Sequence, residues 1–137
     1  MRRSLLTTIL FAVLLSAGLP AHAESRVALV IGNSAYRHTP RLINPYNDAK
    51  DIAAALGPLG FDVTEAIDLD KRALDETLRT FANRSASAET ALVFYAGHGL
   101  QVSGQNYLLP VDARLESERD LDFETIRLDV ILRQLET

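Results

Sequence analysis

The sequence has no cysteine, no tryptophan and a single methionine. The missing Cys excludes disulfides, thiolate metal sites and a thiol nucleophile together. Cationic runs are also missing. Lys and Arg number 14 against 18 Asp and Glu, for a formal net charge of −4. Nucleic-acid binding needs clustered Lys and Arg, so a mildly acidic chain is a poor candidate for it. Neither Gly-x-Gly-x-x-Gly nor a Lys-bearing P-loop is present, which removes the common nucleotide cradles. No helical His-x-x-x-His pair supports a metal site from His38, His98 and Asp112. Ser34 and Ser103 do not sit in a nucleophile-elbow pattern. No cofactor is implied, and no repeat or low-complexity tract occurs.

Of the 137 residues, enough for one domain, the first 23 have a different character. Arg2 and Arg3 precede an apolar run, Leu5 to Leu15, broken only by Thr7 and Thr8. Ala21-His22-Ala23 then offers a small-x-small cleavage site. This order is that of a secretory signal peptide. The competing reading, a membrane anchor, needs about 20 apolar residues, and the run ends at Pro20. The expectation is a signal at 1–23 and a mature domain at 24–137 with a formal charge of −6. That domain would be exported to the periplasm or extracellular space, without membrane attachment after cleavage.

Hydrophobic patterning in the mature chain alternates between two periods. Arg26 to Gly32 is a short, partly β-branched run, as in a strand buried on both faces. Asn33 to Asn44 reads as a loop. Asn44-Pro45 resembles an N-cap followed by Pro at the first helical position. Ala49, Ile52, Ala53 and Leu56 then follow at helical spacing until Gly57-Pro58. Phe61 to Ala66 alternates as a second strand. Asp68 or Asp70 can cap the next helix, whose buried face carries Leu74, Leu78 and Phe81. Thr90 to Gly97 is a third apolar strand, and Ser103-Gly104 marks a hairpin within Gln101 to Leu109. Pro110 to Phe123 reads as an acidic loop; Asp120, Asp122 and Glu124 look like a solvated patch. Leu128, Ile131, Leu132 and Leu135 mark a last helix. Strands alternating with helices predict a mainly parallel sheet with helices on both faces.

In such sheets, sites gather beyond the carboxyl ends of the strands. Gly32-Asn33-Ser34, Asp68 and Gly97-His98-Gly99 occupy those positions. His98 is the most pointed of them: a buried apolar strand delivers an imidazole to the sheet edge between two glycines. The alternative is a His in a tight turn whose glycines serve only positive φ.

Tyr95-Ala96-Gly97-His98-Gly99, followed by a hairpin, is similar to the histidine segment of caspase-like peptidases, the group that includes caspases and metacaspases. Val27 to Asn33 with Tyr36 resembles their first strand and loop. Leu42 with Asn47-Asp48-Ala49 resembles the opening of their first helix, and Tyr107-Leu108-Leu109-Pro110 the return strand of the hairpin. The combined match spans nearly all of Arg26 to Glu136. It implies a three-layer α-β-α sandwich and a polypeptide substrate. It also implies roles in which His98 manages protons, the Gly99 backbone N–H faces the oxyanion, and Asp48 helps bind a basic side chain before the cleaved bond. For Asp48 a plain alternative exists, since an acidic residue in a first helical turn favours the helix dipole.

The family nucleophile is a cysteine about 50 residues after the histidine, whereas 39 residues follow His98 here. The expected fold is therefore a caspase-like domain incomplete at its C-terminus, lacking the strand that would bear the Cys. One reading is a fragment whose partner is the missing C-terminal segment. The other is a complete, non-catalytic interaction domain.

Overall fold

The structure, a computed structural model, describes residues 25–136; the proposed signal at 1–23 lies outside them. Strand β1 (Arg26–Gly32) pairs in parallel with β2 (Phe61–Ile67) on one side and β3 (Thr90–Ala96) on the other. The order β2-β1-β3 puts the most buried strand at the centre. Arg26 faces Phe61 and Thr90 at one end, and Gly32 faces Ile67 and Ala96 at the other, without a slip in register.

Alternate side chains of β1 feed two cores. Ala28 and Val30 point to helix α1 (Pro45–Leu56), where Ala49 and Leu56 are buried against them. Val27, Leu29 and Ile31 point to the opposite layer. There they meet Leu74 and Phe81 of α2 (Lys71–Ser85) and Ile131 of α4 (Leu128–Leu135). Leu29, Ile31 and Leu74 are fully buried, each contributing about 1.5–3 kcal/mol by removal from water. The three-layer arrangement is the one expected from the alternating pattern.

At the start of α1, Pro45 occupies the first turn, but Asn44 is itself α-helical and its side chain makes no capping bond. This corrects the expected Asn cap: Pro pre-sets the first helical φ and brings no N–H that needs a cap. Of the two candidate caps for α2, Asp70 fills the role, accepting from the Ala73 N–H at 2.9 Å. Asp112, distant in sequence, adds a second cap by accepting from the Lys71 N–H at 2.8 Å.

A second, antiparallel sheet has the order β4-β5-β6. Strands β4 (Gly99–Val102) and β5 (Gln105–Leu108) form the hairpin, beginning two residues earlier than the sequence pattern suggests. Ser103 and Gly104 both take positive φ, 50° and 78°, as the tight two-residue turn requires. Strand β6 (Ile126–Arg127) pairs with Tyr107 and Leu108. The expected acidic loop is only partly a loop. Ser117 and Asp120 form a capping box, and helix α3 (Leu121–Glu124) follows, anchored by buried Leu121.

Candidate active site

Three segments meet at the carboxyl edge of the parallel sheet, and Asn33 joins them. This fully buried residue donates its N–H to the Ala96 carbonyl at the end of β3. Its Oδ1 accepts from the Leu69 N–H at 3.0 Å, and its Nδ2 donates to the Leu109 carbonyl at 3.2 Å. A buried amide is tolerated because its side-chain oxygen and nitrogen each have a partner. Asp68, with φ of 52°, holds the following loop: its Oδ1 accepts from Ser34 N–H at 2.7 Å and Ala35 N–H at 2.8 Å. Thus the Gly32-Asn33-Ser34 and Asp68 features that stood out in sequence work as scaffolding for the edge.

His98 follows β3 after one intervening residue, Gly97, and is partly exposed. Its Nε2 lies 2.8 Å from the Pro40 carbonyl oxygen. A carbonyl can only accept, so Nε2 carries a proton, and in neutral imidazole Nδ1 is then the base. No hydrogen-bond partner holds Nδ1 among the described residues. The Tyr36 ring stands 4.5 Å from the imidazole, tilted by 59°. The Tyr36 hydroxyl accepts the His98 backbone N–H at 2.7 Å. The Tyr95 hydroxyl lies 2.8 Å from the His98 carbonyl, 2.9 Å from that of Leu109 and 3.1 Å from the Tyr36 oxygen. Burial pushes both phenols above their ordinary range, and for Tyr95 the hydrogen bond to Tyr36 adds to the rise.

Neither glycine beside His98 has positive φ, so the tight-turn explanation does not apply. A Cβ at Gly97 would fall 2.5 Å from the Tyr36 hydroxyl and 2.6 Å from that of Tyr95, whereas at Gly99 its nearest neighbour would be the Tyr107 carbonyl at 3.4 Å. The reason for Gly97 is therefore steric.

Gly99 differs through its N–H. The Leu109 N–H donates to the His98 carbonyl at 3.1 Å, one residue outside the Gly99–Leu108 pair. In an antiparallel ladder this makes Gly99–Leu108 a non-hydrogen-bonded pair. The Gly99 N–H therefore faces away from β5, on the open side of an edge strand beside the histidine.

Asp48 lies exposed in the first turn of α1, with no side-chain hydrogen bond or ion pair among the described residues. It reaches the same edge through packing: Gly32 leaves room for the Pro45 carbonyl and Ala49 Cβ. The Ser34 Oγ also accepts the Tyr46 N–H at 3.1 Å. No hydrogen bond joins Asp48 to His98. A cavity of about 400 Å³ lies elsewhere, between α2 and α4, and His98 does not line it.

The caspase-domain profile of the C14 peptidases matches residues 25–137. The chain belongs to the caspase-domain family. Over 91 residues it is 34% identical to human (Homo sapiens) mucosa-associated lymphoid tissue lymphoma translocation protein 1 and 33% identical to the Mus musculus homolog. In each case the match covers 66% of this chain but only 11% of the relative. The crystal structure of a protein from Geobacter sulfurreducens superposes with a TM-score of 0.62 at 19% identity, over 81% of this chain and 44% of that one. That likeness establishes the fold. Within this caspase domain, Pro40 and Tyr95 are site-building residues to which the sequence assigned no such part. The one signal was a polar hydroxyl near the end of a buried strand, in Tyr95 of β3.

Proposed function

We infer that this chain is the histidine-bearing part of a caspase-like cysteine endopeptidase that cleaves after Arg or Lys, and that alone it does not hydrolyse peptides. The observation that carries this reading is the His98 imidazole, fixed through Nε2–H to the Pro40 carbonyl with Nδ1 left open. In the proposed reaction, Nδ1 takes the proton of a cysteine thiol, whose sulfur attacks the scissile carbonyl to give an acyl-enzyme. The resulting imidazolium protonates the departing amine. The outward Gly99 N–H donates to the developing oxyanion. Asp48, exposed and unpaired, supplies the negative charge for a cationic side chain before the cleaved bond. The thiol must come from residues outside this sequence, which has no Cys. Residues 1–23 would direct export to the periplasm or extracellular space.

Peptide hydrolysis tests the reading. This chain alone should leave Arg- and Lys-peptidyl amides intact. The same chain extended by whatever its gene encodes beyond Thr137 should cleave them, through an Asp-x-Cys strand, and lose cleavage in His98→Ala. Absence of a cysteine-bearing strand in that continuation would instead favour the second reading, a non-catalytic interaction domain. The open edge of β3 in the described sheet is what favours that alternative.

A further inference from the structure

We propose that Tyr36 and Tyr95 are positioning residues for His98: their paired hydroxyls clamp the peptide groups on both sides of the histidine and so fix the direction of its imidazole. The proposal rests on His98 serving as the peptidase histidine. Tyr36 comes from the loop after β1 and Tyr95 from near the end of β3, 59 residues apart in sequence. Their oxygens nonetheless meet at 3.1 Å.

Proton accounting shows what the pair can hold. The His98 N–H fills one acceptor site on Tyr36 at 2.7 Å. The Tyr36 proton then goes to Tyr95 or to the Leu109 carbonyl, 3.1 and 3.2 Å away. The single Tyr95 proton goes to the His98 carbonyl at 2.8 Å, the Leu109 carbonyl at 2.9 Å or the Tyr36 oxygen at 3.1 Å, and the His98 carbonyl is the nearest of the three. The His98 carbonyl also receives the Leu109 N–H at 3.1 Å. Both peptide groups of His98 are therefore tied down, and the ring has its own tie to Pro40. Three fixed points leave the imidazole little freedom to turn.

Filling space does not explain the hydroxyls. Phenylalanine would occupy the same volume without placing a polar group at a buried position such as Tyr36, which is 5% exposed. Gly97, between Tyr95 and His98, has no room for a Cβ because the two hydroxyls crowd it. Burial also keeps both phenols protonated, so both retain the proton they donate.

The test uses the full chain, ¹⁵N-labelled, as wild type, Tyr36→Phe and Tyr95→Phe. At a pH where His98 is neutral, the wild-type imidazole should give one protonated nitrogen, Nε2, and one bare nitrogen, Nδ1. In Tyr36→Phe the two shifts should converge toward those of histidine in a short peptide. The His98 amide should exchange roughly tenfold faster relative to amides of the central strand such as Leu29 and Val30. In Tyr95→Phe the shifts should converge partly while the His98 amide stays protected. Unchanged imidazole shifts in either folded variant would overturn the proposal, as would averaged shifts in the wild type. If Tyr36→Phe does not fold, Tyr95→Phe decides alone. These readouts need no catalysis. A clamp that passes them, beside hydrolysis by the extended protein that survives His98→Ala, would sink the proposed function and leave the clamp standing. The reverse pattern would sink the clamp alone.

Discussion

A methyl group at position 97 would meet two hydroxyl oxygens at 2.5 and 2.6 Å, while one at position 99 would meet a single carbonyl at 3.4 Å. The two glycines that bracket His98 thus answer to different demands. Gly97→Ala must push apart the tyrosine pair or the end of β3, and overpacking of this kind costs about 1–3 kcal/mol. Gly99→Ala should change stability by no more than about 0.5 kcal/mol. Urea denaturation of both variants checks this, and equal losses would contradict the assignment. Asp48 has the least structural work of the residues at this edge. With its carboxylate unpaired, its remaining local effect is a favourable charge in the first turn of α1.

At the scale of elements, helix α2 is held at its start by two carboxylates, one local and one distant. Asp70 accepts from Ala73 N–H and Asp112 from Lys71 N–H. Loss of the local cap in Asp70→Ala should cost about 1 kcal/mol, measured as a lower urea midpoint at unchanged slope. A loss near zero would mean that Asp112 alone suffices. These two residues also separate what was legible in the sequence from what was not. Asp70 could be found because a cap stands next to the apolar period it opens. The same local logic located β1, β2, β3, α1, α4 and the Ser103-Gly104 turn. Asp112 could not be found, because its acceptor role depends on the chain returning from the hairpin to α2. Tyr36 and Tyr95 share that obstacle, since their contact exists only once β1 and β3 lie side by side. Helix α3 escaped for another reason: its four residues carry two carboxylates and too short a period to register. His98, Gly99 and Asp48 stood out by motif, whereas Pro40 acts through a backbone carbonyl that any residue type possesses.

For the whole molecule, the buried tyrosine pair links stability to alkaline pH. Both phenols have folded-state pKa values above the ordinary 10.0. Below pH 10 they are protonated whether folded or unfolded, and their contribution is fully present. As pH rises past 10 the unfolded chain loses these protons first, so stability falls. The urea midpoint should therefore drop above pH 10, and more shallowly in a Tyr36→Phe, Tyr95→Phe double variant. An identical slope in both proteins would show that the phenols do not govern the fall. No helix among the described residues is long and apolar enough to cross a membrane.

The central claim is that this caspase domain presents a prepared histidine with no nucleophile of its own. Hydrolysis of Arg- and Lys-peptidyl amides by residues 24–137 alone tests it most directly. The account predicts no product above the buffer rate, with or without a thiol-blocking reagent. Turnover that is abolished by His98→Ala yet indifferent to the thiol reagent would contradict it, because the nucleophile would then lie within this chain and be something other than sulfur.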